Sequence, residues 1–121
     1  MRILKTTSFS KFARREGLSN RTLQNVAADM EQGSLGDALG SSVYKKRVAR
    51  PGKGKRAGYR TIYAFKKGQR VFFIEGYAKN EKSNLTRKEL KAVRKAASIM
   101  LSWTDRELDK VVRRGSLVQV K

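Results

Sequence analysis

Between Asp37 and Glu75 the chain carries no acidic residue, yet the same stretch is rich in Val, Ile, Tyr and Phe and is cut repeatedly by glycine. β-Branched and aromatic side chains suit a pleated surface, and "RPGKGKRAG" and "KKGQ" supply turn residues between the runs. The pattern predicts three consecutive antiparallel strands, near Val43 to Arg50, Gly58 to Lys66 and Arg70 to Ala78.

Both flanks read as helix. In "SFSKFARREG", Phe9, Phe12 and Ala13 recur at helical spacing, with Ser8 as a cap and Gly17 as a stop. "SNRTLQNVAADMEQG" follows, with Ser19 as cap, a stripe of Leu23, Val26, Ala27 and Met30, and a stop at Gly33. Together they predict an N-terminal helical hairpin. Beyond the strands, Thr86 and Glu89 form a capping box ahead of Leu90, Val93, Ala97, Met100 and Leu101. A second box, Thr104 with Glu107, opens a short helix through Leu108, Val111 and Val112 to Gly115, and "SLVQV" reads as an added edge strand. The expected fold class is α+β: the helical hairpin packed on a small twisted, mainly antiparallel sheet, with helices at the C-terminal end. A length of 121 residues suits one domain spanning 1–121.

The charge balance is extreme. Twenty-nine Lys and Arg against ten Asp and Glu give +19, a self-repulsion that calls for a negative partner. With no Cys and no His, disulfides, thiolate nucleophiles and nearly all zinc sites are excluded, so no metal or cofactor is expected. No run reaches the roughly 18 apolar residues of a spanning helix, and "MRILKTTSFSKFARREG" lacks the apolar core of a signal peptide. The expectation is a cytoplasmic protein with no membrane partner.

Eleven cations fall in the acid-free stretch: Lys45, Lys46, Arg47, Arg50, Lys53, Lys55, Arg56, Arg60, Lys66, Lys67 and Arg70. Those at turn tips read as solvated charges that discourage edge pairing. Arg60 differs, since it lies inside "GYRTIYAF", where alternation puts it on the face of Ile62 and Ala64. An Arg there needs an anion, either one of the scarce carboxylates or a ligand phosphate, whose oxygens it matches in bidentate fashion. Tyr44, Tyr59, Tyr63 and Tyr77 accompany the strands, either as packing residues or as platforms for exposed bases.

Such a surface is equipped for one reaction without metal. RNA is cut when its own 2′-OH attacks the adjacent phosphate, which requires a base, charge stabilisation and a proton for the leaving oxygen. With no His, Lys and Tyr are the candidates, and a Lys crowded by cations loses its proton more readily.

Taken as a unit, "AGYRTIYAFKKGQRVFFIEGYAKNEKSN" resembles RelE/ParE-superfamily toxins of type II toxin–antitoxin systems, in particular the RelE and HigB-like branch. The order of helical hairpin, basic strands, GYR strand, second apolar strand and terminal helix extends the resemblance over essentially the whole chain. It implies a RelE-like fold and a metal-independent endoribonuclease that cleaves mRNA on the translating ribosome and so inhibits translation. Implied catalytic residues are Arg60 on the scissile phosphate with Lys79, Tyr77 and Lys46; Lys45, Arg47, Arg50, Lys53, Lys55, Arg56 and Lys82 are implied to hold RNA and the ribosome. Implied partners are mRNA, the ribosome through its 16S rRNA, and a cognate antitoxin bearing a helix-turn-helix domain. Asn80 and Thr86 stand where this branch carries an Arg and a Tyr. That departure keeps two alternatives open: a non-catalytic ParE-like toxin acting on gyrase, and a basic RNA-binding module.

Overall fold

The first element is a strand, and it corrects the expected helical start. In this computed structural model, residues 1–50, 54–78, 81 and 84–121 are described, the side chains of 50 and 54–57 excepted. The order is β1 (Arg2–Thr6), α1 (Thr7–Glu16), α2 (Asn20–Glu31), β2 (Asp37–Gly40), β3 (Val43–Arg50), β4 (Gly54–Lys66), β5 (Arg70–Ala78), α3 (Arg87–Ser102), α4 (Asp105–Arg113) and β6 (Leu117–Gln119). Among the described residues these strands form one six-stranded sheet in the order β2-β3-β4-β5-β1-β6. It is mixed: β1 runs parallel to β5, and the other pairs are antiparallel.

The helical hairpin exists, but β1 precedes it. Ile3 and Leu4 pair with Val71 and Phe72, placing a five-residue strand beside the centre of the sheet. This moves the α1 cap from Ser8 to Thr6, whose Oγ accepts from the Phe9 N–H at 3.0 Å and donates to the Ile74 carbonyl at 2.7 Å. Thr6 thus satisfies an otherwise orphaned helical donor and ties strand to helix. Both C-terminal capping boxes form as expected.

Side chains alternate along β4 and divide the interior in two. Tyr59, Tyr63 and Phe65 join Phe9, Phe12, Leu23, Met30 and Phe73 beneath α1 and α2. Ile62 and Ala64 join Leu4, Phe72, Val93, Ala97 and Leu108 beneath α3 and α4. Each fully buried Phe or Leu contributes roughly 1.5–3 kcal/mol, whereas exposed ion pairs contribute at most about 1 kcal/mol. Packing on both faces of the sheet, not charge pairing, therefore holds a +19 chain together.

Two irregularities shape the end of the sheet that matters below. β5 carries an extra residue where Ile62 pairs with Glu75 but Tyr63 pairs with Phe73, a bulge that bends the strand. At the opposite edge, Ser41 and Ser42, both with positive φ, turn β2 back onto β3 with Gly40 opposite Val43. Positive φ at both central residues is the geometry that matches a tight hairpin to the twist of its strands.

Candidate nucleic-acid interface

Register decides which cations meet. Across β3 and β4, Lys45 lies opposite Ile62, Lys46 opposite Thr61 and Arg47 opposite Arg60. Directly paired residues share a face and neighbours alternate. Lys45, Arg47 and Arg60 therefore stand on the face of Ile62 and Ala64, as the alternation around Arg60 requires, and Lys46 stands on the other.

On the first of these faces Lys45, Arg47 and Arg60 line an open depression of about 280 Å³ with Gly36 and Asp37. Arg47 and Arg60 are like charges directly opposite, an arrangement that destabilises a sheet by up to about 1 kcal/mol. Among the described residues neither has a carboxylate within ion-pairing distance. Two guanidiniums on adjacent strands thus present unmatched donors to solvent, the geometry that receives a phosphate. Lys45 is fixed at the rim by donating from Nζ to Asn84 Oδ1 at 2.7 Å.

Lys46 is committed elsewhere. Its Nζ donates to the Ser34 carbonyl at 2.8 Å and to Ser34 Oγ at 2.6 Å. It borders a second cavity of about 530 Å³ formed with Thr22, Val26 and Asp29 of α2, which Arg47 also lines. The structure does not bring it together with Arg60.

The four tyrosines take packing positions. Tyr77 lies opposite Arg60 on β5 but is only 3 % exposed and belongs to the core beneath α3 and α4. Tyr59 donates to the Glu16 carbonyl at 3.1 Å, and Tyr63 donates to the Leu35 carbonyl. Tyr44 stacks on Tyr63 with centroids 5.5 Å apart and an interplanar angle of 22°. Burial, and secondarily Tyr44, pushes the Tyr63 phenol far above its ordinary pKa, so it stays a neutral donor.

Of the remaining expected residues, Lys53, Lys79 and Lys82 lie outside the described residues, as do the side chains of Arg50, Lys55 and Arg56. Thr86 caps α3, its Oγ1 accepting from the Glu89 N–H at 3.1 Å. Neither Asp37 at the depression nor Asn84 as the partner of Lys45 is among the expected residues. Asp37 sits on β2, a four-residue strand with no recognisable pattern, and Asn84 reaches Lys45 only through the fold. Among the described residues no cluster of acidic side chains is arranged to hold a metal ion, and no helix is long and apolar enough to cross a membrane.

The depression, then, is a donor-rich hollow on one face of a sheet, with strands fixing each cation and one carboxylate at its edge. Comparison with known families gives a match over residues 1–120 to the model described as the RelE toxin of the RelE / RelB toxin-antitoxin system.

Proposed function

The chain belongs to the RelE toxin family, and on that premise we propose that this toxin is an endoribonuclease cutting mRNA on the translating ribosome. Family membership also gives it a RelB-like antitoxin as cognate partner. The observation that carries the proposal is the opposed pair Arg47 and Arg60, unpaired with carboxylates and facing an open hollow. In the proposed reaction the 2′-oxygen attacks the adjacent phosphorus, the bond to the 5′-oxygen breaks, and a 2′,3′-cyclic phosphate forms. Arg60 holds two non-bridging oxygens as negative charge builds on them, where a preformed donor is worth most. Arg47 and Lys45 position the backbone on either side. To Lys53, Lys55, Arg56 and Lys82 we assign the holding of RNA and 16S rRNA. We place these roles in a single cytoplasmic domain over residues 1–121, restrained by an antitoxin whose acidic surface covers the hollow.

The test is a translation extract programmed with a defined mRNA, with RNA ends mapped by primer extension. Wild type is expected to create ribosome-dependent ends, and Arg60→Ala to lower their rate of formation at least about 100-fold. A non-catalytic, gyrase-directed reading draws on Asn80 and Thr86, which replace the family's Arg and Tyr, Thr86 being occupied as a helix cap. Intact mRNA together with loss of gyrase supercoiling would favour that reading.

A further inference from the structure

We propose that Asp37 is the general base of this site, taking the proton from the attacking 2′-OH; the inference rests on the ribonuclease reading above. Among the described residues, Asp37 is the carboxylate that lines the hollow, beside Lys45, Arg47 and Arg60. Its register partner on β3 is Lys45, so its side chain shares the face of the three cations.

The ordinary fate of an Asp opposite a Lys is a cross-strand ion pair, and here it does not form. Lys45 turns its Nζ to Asn84 Oδ1 at 2.7 Å. Asp37 has no ion pair within 4.0 Å among the described residues. A carboxylate set among three cations, with its oxygens left open, is available to a ligand. The local backbone is built to bring it close. Gly36 has φ +78°, and a Cβ there would lie 2.3 Å from the Lys45 carbonyl oxygen. Only glycine permits this approach, which seats Asp37 against β3 rather than on a free loop.

Among the described neighbours the other groups are engaged or unsuited, and Lys45 already donates its Nζ to Asn84 Oδ1. Guanidiniums have no acceptor and do not deprotonate, which removes Arg47 and Arg60. Lys46 faces the opposite side and donates to Ser34. Tyr77 is buried below the hollow. Asp37 supplies an acceptor in the same hollow in which Arg60 would hold the phosphate.

The step balances. A carboxylate oxygen of Asp37 takes the 2′-OH proton as the bond from O2′ to phosphorus forms; the bond to O5′ breaks, and O5′ takes a proton from water. Asp37 then returns its proton to solvent. The charged groups facing it are Lys45 and Arg47 from β3 and Arg60 from β4.

Single-turnover cleavage by wild type, Asp37→Asn and Asp37→Glu on programmed ribosomes, followed across pH, tests this. Ribosome co-sedimentation and circular dichroism are measured on the same samples. Asp37→Asn is expected to fold and bind ribosomes as wild type does, to cleave about 100-fold more slowly, and to lose the acid-side decline of the wild-type rate. Asp37→Glu is expected to restore part of the rate and that decline. If Asp37→Asn cleaves as fast as wild type or faster, with an unchanged pH profile, the carboxylate only opposes RNA and this proposal is overturned while the ribonuclease reading stands. If wild type leaves the mRNA whole, both fall together.

Discussion

Gly76 shows how a single missing side chain holds two elements in contact. A Cβ at this position would lie 2.3 Å from ring atoms of Phe12. That ring is 4 % exposed and wedged between Phe9, 5.7 Å away, and Tyr59, 5.4 Å away, so it has no room to retreat. Overpacking of this kind typically costs about 1–3 kcal/mol. Gly76→Ala is therefore expected to lower unfolding free energy by that amount in urea titration, and an unchanged midpoint would mean that α1 is held less tightly than its packing indicates. At the residue scale the sequence was readable where an effect was local. The alternation of "GYRTIYAF" was enough to put Arg60 on the face of Ile62 and Ala64, and the core clusters place those two residues together. The separation of Lys45 from Lys46 obeys the same alternation, but it acquires meaning only with the register that sets Arg47 opposite Arg60.

At the scale of elements, α4 is latched to the sheet by a nearly buried arginine. Arg70, 5 % exposed, donates to the Trp103 carbonyl and to Asp105 Oδ1, each at 2.9 Å, while Arg2 pairs with Asp109 at 2.9 Å. Asp105 is largely exposed, so its attraction is screened by water and adds less than about 1 kcal/mol. The part-buried Trp103 carbonyl cannot recruit a replacement as readily, and leaving such a group unsatisfied costs up to about 1–3 kcal/mol. Arg70→Met is accordingly expected to destabilise the protein clearly more than Asp105→Asn in parallel denaturant titrations; the reverse order would put the latch in the ion pair. Legibility of elements followed sequence distance. The β4 and β5 hairpin and both capping boxes are contiguous signals, and they were read. β1 was not, because "RILKT" is short and its partner on β5 lies 68 residues on, as in Ile3 with Val71. β2 escaped for a related reason: its turn uses two serines with positive φ where Asn and Gly are the usual signal. Missing β2 hid Asp37 from the candidate site.

For the whole molecule, the dominant electrostatic fact is self-repulsion. A charge of +19 opposes compaction, and the described ion pairs lie mostly at the surface. Salt largely screens repulsion between exposed charges more than about 10 Å apart at about 0.1 M. Raising NaCl from about 0.05 M to about 0.5 M is thus expected to raise the thermal midpoint, whereas a fold held by its ion pairs would melt earlier. The same charge also constrains the functional account, since cations outside the hollow contribute affinity without chemistry. The assignment of the reaction to one face therefore turns on position rather than on the number of charges. Its most direct test compares Arg60→Ala with Lys46→Met, two losses of one cation from adjacent strands but from opposite faces, in single-turnover mRNA cleavage on saturating ribosomes. The expected result is a fall of at least about 100-fold for Arg60→Ala with Lys46→Met cleaving close to the wild-type rate. Equal losses from the two variants, or wild-type cleavage by Arg60→Ala, would contradict the assignment of the reaction to the face that carries Arg47 and Arg60.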